Sequence, residues 1–549
     1  MSILPAMPHD EPPPASVELL ELRVLEGPNR FLTRPAVKLE FGSETPHLAA
    51  DVAATAGLAL RRLHVALDLP APRLVVRHST DHRRAAIAFA WGRRTRAQAI
   101  AQAAARIALG TGVERIELRA LRSVAPGPRP DLPRAPVRLV AVTGTNGKST
   151  TTRLIAHIAA EAGLRTGMTN SDGIYLRGEL VETGDWTGFG GAGQVLAAPD
   201  LDLAVLETAR GGILLRGIGH AANDISVVTN VSADHLGLQG IDTLDELAEV
   251  KGAVVRITRR TGWAVLNAED PRVWAMRRLT RARWYPFSLD PEHPAIEAAL
   301  DRRGRAAILE RGWLVLLAAG RRPVRLVRAV ELPVTFAGLS RYNTANALAA
   351  AAVADALGIS PGQIASGLRS FAQDNAVNPG RLNLYERRGV LALVDFAHNE
   401  AGLAGLLEVC RTLADARPGP KKGTVRLALG TAGDRTDEIL HGLAVLAGRD
   451  AGDVVICEKR HYLRGRDLEE MNGILRRGIR EGGYAAEVEA CATELSAVQT
   501  LLGRSRTGDV VAVMSHVERA EIFAWLAEAG FKPVGFDRLR ERLGVQSPG

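Results

Sequence analysis

Cysteine is scarce in this chain, with three in 549 residues: Cys410, Cys457 and Cys491. So few and so scattered, they exclude a disulfide framework and a thiolate metal site, and they suit a reducing cytoplasm. Aromatic residues make up only 4%, and no basic stretch is interleaved with them as single-strand nucleic-acid binding requires. No apolar run approaches the roughly 18 residues of a membrane span. The start, Met1 to Pro14, is Pro-rich and acidic and has no basic region followed by an apolar core, so no signal peptide is expected. The net charge is +8. Arg far outnumbers Lys and is interspersed with Asp and Glu, which reads as a compositional bias and not as a polyanion-binding face. The expectation is a cytoplasmic protein with neither a nucleic-acid nor a membrane partner.

What the chain does have is length and an ordinary globular balance, 46% hydrophobic and 24% charged. That length holds roughly three or four domains. Residues 1–134 read as a separate α+β domain. It has a strand at Val17 to Leu25, a turn at Gly27-Pro28-Asn29, a strand around Val37 to Phe41, and helices from Leu48 to Leu67 and Ala97 to Ile107. A Pro- and Gly-rich linker, Ala125 to Pro136, closes it. His9-Asp10 and Asp81-His82 read as surface loop residues, not ligands.

From Val137 apolar runs of strand length alternate with helical segments, the pattern of a mostly parallel α/β sheet. The most informative stretch is Val142-Thr143-Gly144-Thr145-Asn146-Gly147-Lys148-Ser149-Thr150, set between an apolar run and a helix-patterned segment. Strand, glycine turn, Lys-Ser/Thr and helix is the layout that binds nucleotide phosphates. Glycines let backbone N–H groups face phosphate oxygens, Lys148 can reach the β/γ-phosphates, and the Ser149 hydroxyl can ligate Mg²⁺. The spacing Gly-x-x-Gly-Lys-Ser is tighter than the usual Walker pattern. In parallel sheets ligands gather at the carboxyl ends of strands. Leu203 to Leu206 ends at Glu207, and Ile225 to Val228 leads to Thr229-Asn230 and Asp234-His235. A second α/β block starts near Asn378-Pro379-Gly380-Arg381. Its strands end at Asp395, at Gly430 to Arg435, and at Glu458-Lys459 before Leu463-Arg464-Gly465-Arg466. Loaded strand ends on two sheets suggest a nucleotide held between two domains.

This series resembles the Mur ligase superfamily, and within it the Mur-type half of cyanophycin synthetase. The resemblance rests on Gly144 to Ser149, Glu207-Thr-Ala-Arg-Gly-Gly212, Asp234-His-Leu-Gly237, Asn267-Ala-Glu-Asp270, Asn343 with Asn346 to Ala350, Pro379-Gly-Arg381, Asp395-Phe-Ala-His-Asn399 and Gly433-Asp-Arg435. It implies an N-terminal domain over 1–134, a central P-loop ATP-binding domain over 135–377 and a Rossmann-like C-terminal domain over 378–549. The implied activity is ATP- and Mg²⁺-dependent: a carboxylate is phosphorylated and an amine attacks the acyl phosphate, joining an amino acid to an acidic acceptor. The ATP-grasp domain of cyanophycin synthetase has no room here, so only its Mur-type activity is expected. Three alternatives stay open: a peptidoglycan-precursor ligase, a folylpolyglutamate-type ligase, and a catalytically silent partner of a separate ATP-grasp protein. A homo-oligomer is open as well.

The resemblance implies a role for each residue. Gly144, Thr145, Asn146, Gly147, Lys148, Ser149 and Thr150 would hold the phosphates, and Arg381 would reach the γ-phosphate. Ser149 and Glu207 would hold one Mg²⁺ and His235 a second, though a His after a strand is also a common loop residue. Leu244, Leu247, Ala248, Lys251, Val254 and Val255 fall on one helical stripe, which sets Lys251 on an apolar face. Desolvation lowers a lysine's pKa and favours the neutral amine. Many relatives carry a carbamylated Lys here as a metal ligand; a snorkelling or ion-paired Lys is the plain reading. Asn346 would face the adenine, with Asn343 nearby, where Tyr342 replaces a His of the family. Asp395 would bind the ribose, or simply cap the next helix. His398, Asn399, Asp434, Arg435, Arg464 and Arg466 would line the amine-substrate side, Arg464 and Arg466 either gripping a carboxylate or lying solvated. Asp172-Gly173 and the glycine-rich Gly188 to Gly193 are open to two readings, a substrate contact or a mobile loop.

Overall fold

A computed structural model describes residues 17–416 and 422–545; His9-Asp10 and the Pro-rich start lie outside them. Two compact units make up the chain. The first comprises residues 17–132 together with 211–221 and 239–242. Its sheet runs Val17–Leu25, Ala36–Ser43, Arg84–Ala90, Leu74–His78, with every neighbour antiparallel. Helix Leu48–Ala66 buries Ala49, Ala53, Ala56, Leu60 and Leu63. Spaced three and four apart, these residues form one stripe, which packs with Leu39, Phe41, Ile87 and Phe89 of the sheet and Ile100 of helix Arg94–Ala108. Small residues along the stripe let helix and sheet approach closely. Asp81 lies in the turn joining the last two strands and accepts from Ser79 Oγ at 2.6 Å and Arg83 N at 3.0 Å.

Gly27-Pro28-Asn29 forms a buried turn that seats residues 216–218. Gly27 N donates to Arg216 O (3.1 Å) and Ile218 N to Pro28 O (2.7 Å). A Cβ on Gly27 would stand 1.9 Å from Ile218 O, so the seat demands glycine. Asn29 braces the turn, donating to Gly27 O (2.9 Å) and accepting from Phe31 N (2.9 Å).

The second unit comprises 133–210, 222–238, 243–416 and 422–545 and contains two sheets. The larger has eleven strands. Strands Arg305–Glu310, Arg283–Ser288, Thr258–Asn267, Asn223–Val228, Arg138–Thr143, Leu203–Glu207 and Thr166–Thr169 lie side by side in parallel, and antiparallel strands extend both edges. Val140, Val142, Leu203, Val205, Ile225 and Val227 pack with Leu154, Ile158 and the Ala-rich helix Arg341–Leu357. The smaller sheet has seven strands, with Val390–Asp395, Val510–Met514, Val425–Leu429, Asp453–Cys457 and Glu489–Cys491 parallel. Its two faces carry separate apolar clusters, as expected of a doubly covered sheet. The architecture is the mixed α/β class with large, mostly parallel sheets that the alternating pattern predicts. No described helix is long and apolar enough to cross a membrane.

Candidate functional site

The strand Arg138–Thr143 lies between Leu203–Glu207 and Asn223–Val228. The loop leaving its carboxyl end therefore meets two further strand ends. Gly144 has φ +150° and Gly147 φ +83°. A Cβ on Gly144 would sit 1.9 Å from Thr229 Oγ1, and one on Gly147 2.3 Å from Asn346 Oδ1. Conformation and space thus both require glycine. The strand end at Thr229-Asn230 holds the loop: Thr145 N donates to Asn230 O (2.9 Å), Asn146 N to Asn230 Oδ1 (2.9 Å) and Thr229 Oγ1 to Asn146 O (2.6 Å). Asn267 and Asp270 hold that strand end in turn, Asn267 Nδ2 donating to Thr229 O (2.8 Å) and Asp270 Oδ2 accepting from Val231 N (2.6 Å).

Helix Lys148–Glu161 starts at Gly147 with no side-chain cap. Its first N–H groups and the positive end of its dipole are left to an anion. Ser149 and Thr150 are buried in this first turn. Lys148 Nζ donates to Thr145 O at 2.8 Å, over the loop.

Around Ser149 stand Ser171 Oγ at 3.2 Å and Arg381 Nη2 at 3.5 Å. Glu207 closes this side, with 3% of its surface exposed and Oε2 unpartnered. Burial raises its carboxyl pKa, opposed by the Lys148 charge and the Ser149 hydroxyl. A buried carboxylate oxygen beside a hydroxyl suits a hard cation that keeps water ligands, as Mg²⁺ does. Among the described residues no three His, Cys, Asp or Glu side chains converge as a metal cage.

Behind the loop, Lys251 is buried on helix Leu244–Arg256, and its Nζ donates to Gly144 O at 2.7 Å. Burial, then the Lys148 charge, push its pKa well below the ordinary lysine value. His235 sits in the left-handed region (φ +52°). Its Nδ1 lies 2.9 Å from Arg435 Nη1 and 3.2 Å from Asp434 Oδ2. Asp234 meets Arg435 Nη2 at 3.0 Å and His398 Nε2 at 3.4 Å. Burial works against the Asp234 carboxylate, but the His398 hydrogen bond and the charges of His398, His235 and Arg435 hold its pKa far below the usual range. Asp234, His235, His398, Asp434 and Arg435 are thus one network joining the two sheets' strand-end loops.

Asn343 and Asn346 share a face of helix Arg341–Leu357, with Asn346 Nδ2 donating to Asn343 Oδ1 at 3.0 Å. Asn346 stands against Gly147 of the loop. Asp395 accepts from Leu382 N and Ala397 N, both at 2.8 Å; burial raises its pKa against the Arg381 charge. Asn399, not Asp395, caps helix Glu400–Asp415, accepting from Gly402 N at 2.9 Å. Asn399 also forms a reciprocal amide pair with Asn146 (2.9 and 3.1 Å). Arg466 donates to Arg435 O (3.0 Å) and to Asp437 (2.6 Å), and is ion-paired with Glu470. Arg464 is exposed and stacks over Tyr462.

Three further features stand at or near these strand ends. Arg210 donates to Leu238 O, while its Nε has no hydrogen-bond partner; its place within Glu207-Thr-Ala-Arg-Gly-Gly212 was the available signal. Asp172 accepts from Arg153 Nη2 (2.8 Å) and Arg519 Nη2 (2.7 Å). Lys459 and Glu494 form a buried ion pair, and Glu494 accepts from His516 N at 2.8 Å. Asp172 stands out in sequence only within the Asp172-Gly173 pair and Lys459 only as a strand-end residue; nothing in sequence spacing marks their partners Arg153, Arg519 and Glu494.

Residues 142–354 match the Mur ligase middle domain, and residues 380–517 match the Mur ligase glutamate ligase domain. The chain is 38% identical over 383 residues to cyanophycin synthetase of Crocosphaera subtropica, a match covering 69% of this chain and 43% of that protein. The chain thus spans less than half the length of that relative. It is 29% identical to the UDP-N-acetylmuramyl-tripeptide synthetase of Deinococcus radiodurans, covering 69% of this chain and 73% of the other. Among solved structures, a bifunctional folylpolyglutamate synthase/dihydrofolate synthase with Mn, AMPPNP and L-glutamate bound aligns with TM-score 0.54 at 19% identity, covering 72% of this chain and 91% of that one. That likeness is one of fold.

Proposed function

The chain belongs to the Mur ligase family, and from that premise we propose that it is an ATP- and Mg²⁺-dependent ligase joining an amino acid to an acidic, Asp- or Glu-type acceptor. One observation carries this reading: the glycine-bound phosphate loop, whose Ser149 stands 3.5 Å from Arg381 and beside the unpartnered oxygen of Glu207. The similarity to cyanophycin synthetase and the Glu207-Thr-Ala-Arg-Gly-Gly212 stretch support that branch. We assign only the reaction of its Mur-type half, since the chain covers 43% of that relative. We divide the chain into domains 1–134, 135–377 and 378–549, with the third closing over the nucleotide of the second.

An acceptor carboxylate oxygen attacks the γ-phosphorus; the bond to the β–γ bridging oxygen breaks and ADP leaves. The amine then attacks the acyl carbon, loses a proton, and expels phosphate carrying one former carboxylate oxygen. Positioning and charge neutralisation dominate such transfers. Lys148 and the uncapped helix start hold the phosphates, and Arg381 meets the γ-phosphate. We assign Ser149 and Glu207 as the residues that would hold Mg²⁺ and, from the family resemblance, His235 and a Lys251 carbamate as those that would hold a second. Bound there, Mg²⁺ would neutralise phosphate charge. The depressed pKa of Lys251 favours the neutral amine that takes up CO₂. We assign Asn343, Asn346 and Asp395 to the nucleoside. Arg210, with its spare Nε, meets the acceptor's second carboxylate. His398, Asp434, Arg435 and Arg464 face the amine, while Asn399 and Arg466 position the loops around it.

The test is isotopic. With ¹⁸O in the acceptor carboxylate, the released phosphate should carry one ¹⁸O atom. Product formation with unlabelled phosphate refutes the acyl phosphate.

A further inference from the structure

Arg381 is the first residue past the turn Pro379-Gly380 that leads from the larger sheet to the smaller. Its guanidinium stands 3.5 Å from Ser149 Oγ, and the turn is where its backbone is anchored. Two arginines from opposite sides fix it. Arg153, on the phosphate-loop helix, donates through Nη1 to Val377 O at 3.0 Å. Arg519, the first residue of helix Arg519–Glu528, donates through Nη1 to Pro379 O at 3.3 Å. Each turns its other nitrogen to the same carboxylate, Asp172, at 2.8 and 2.7 Å. Gly380 lies beneath Arg519 with φ +67°, where a Cβ would come 2.7 Å from Arg519 Cδ.

Asp172 is itself held rigidly. Its N–H and that of Gly173 donate to Asn170 Oδ1 at 2.8 and 3.1 Å, and its neighbour Ser171 contacts Ser149. On the far side, Glu494 accepts from the N–H groups of His516, Val517 and Glu518 at 2.8 to 3.1 Å. That fixes the loop from which Arg519 extends. A carboxylate shared by two guanidiniums is a strong, directional junction, and this one lies 84% covered at the Asp172 side chain (16% exposed). It uses three charged side chains that the proposed reaction does not need.

We propose that Asp172 is a positioning residue for phosphoryl transfer: it ties Arg153 and Arg519 over the 377–380 turn and so holds Arg381 at the γ-phosphate. This rests on the γ-phosphate role given to Arg381 above. It accounts for charged groups from the phosphate-loop helix and from the start of helix Arg519–Glu528 meeting at one carboxylate. Asp172 touches no reacting atom; it acts through Arg381.

Nucleotide affinity tests this without turnover. Titration calorimetry on the full chain gives Kd for ADP and for a non-hydrolysable ATP analogue, whose ratio reads contact with the γ-phosphate. The wild-type chain should prefer the analogue. Asp172→Asn and Arg519→Met should each lose roughly tenfold of that preference, about the worth of one charge-assisted contact, with ADP affinity kept within about threefold. Arg519→Lys, which keeps the charge and a donor, should restore most of it. In an Arg381→Ala background, Asp172→Asn should cost nothing further, because both act on one contact. A general structural defect would instead lower ADP affinity too, and its effects would multiply in the double variant. Either of those results, retention of the full preference in Asp172→Asn, or a wild type with no preference at all, overturns the proposal. A wild type that binds as expected yet ligates no acceptor leaves this result standing and refutes the ligase reading instead.

Discussion

Replacing Gly147 with alanine probes the phosphate loop most sharply. The residue holds φ +83°, and the new Cβ would stand 2.3 Å from Asn346 Oδ1. Holding a non-glycine residue left-handed costs roughly 1–2 kcal/mol. Moving Asn346 aside breaks its 3.0 Å bond to Asn343, worth about 1 kcal/mol net. The loop escapes both costs by leaving the cradle conformation, so ATP binding must restore it, and apparent affinity falls by the competent fraction. A total of about 2–3 kcal/mol corresponds to a Kd raised about 30- to 150-fold. Gly163 supplies the control, with φ +90° and nothing within 4 Å of an added Cβ. Gly163→Ala carries the same backbone penalty at the far end of the helix and should shift ATP affinity less than about twofold. Titration calorimetry with ATP decides. Equal affinities in the two variants would refute the contact between Asn346 and the loop.

Lys148→Ala should abolish turnover, seen as loss of ADP release, while the circular dichroism spectrum stays that of the wild type. Lys251→Ala should lose activity and partly regain it with acetate or formate; no regain across a concentration series refutes the carbamate. Arg210→Ala should raise the acceptor KM on the order of tenfold or more, the cost of one charge-assisted contact, with ATP affinity kept. Equal KM values would remove Arg210 from the acceptor. The Asp234 carboxyl is held below its unfolded value of 3.8 by His398, His235 and Arg435, so its stabilisation is present above pH 3.8 and is lost as pH falls toward its folded value. Asp234→Asn should lower Tm at pH 6, with the difference shrinking as pH drops below about 4; a difference constant down to pH 3 contradicts this.

The shape of the loop Gly144 to Ser149 was legible because its determinants are local. Two glycines, a Lys and a Ser at fixed spacing on a strand-to-helix turn determine its shape almost alone. The strand Val17–Leu25 and helix Leu48–Ala66 were equally plain from periodicity. Strand Arg84–Ala90 was not, since its sequence, Arg-Ala-Ala-Ile-Ala-Phe-Ala, is rich in a residue that favours helices. Its pairing with Ala36–Ser43 supplies what local preference does not. At the site, the contacts that escaped are long-range. Asn399 reads as a substrate residue in sequence, and nothing there shows its pairing with Asn146 across 253 positions. Arg153 looks like an ordinary surface residue of an amphipathic helix until Asp172 and Val377 O claim it. Asp172 meets Arg519 across 347 positions. Side-chain pairings at that separation leave no periodic trace.

The most direct measurement is ADP release by the purified protein with ATP and Mg²⁺ over a grid of amino acids against acidic acceptors, with mass detection of products. The acceptors should include β-aspartyl peptides, aspartate polymers and γ-glutamyl compounds. The ligase reading predicts release only when one acceptor and one amine are both present, with a product heavier than the acceptor by the amino acid less one water. ATP bound at the loop with no release or product anywhere in the grid would contradict it.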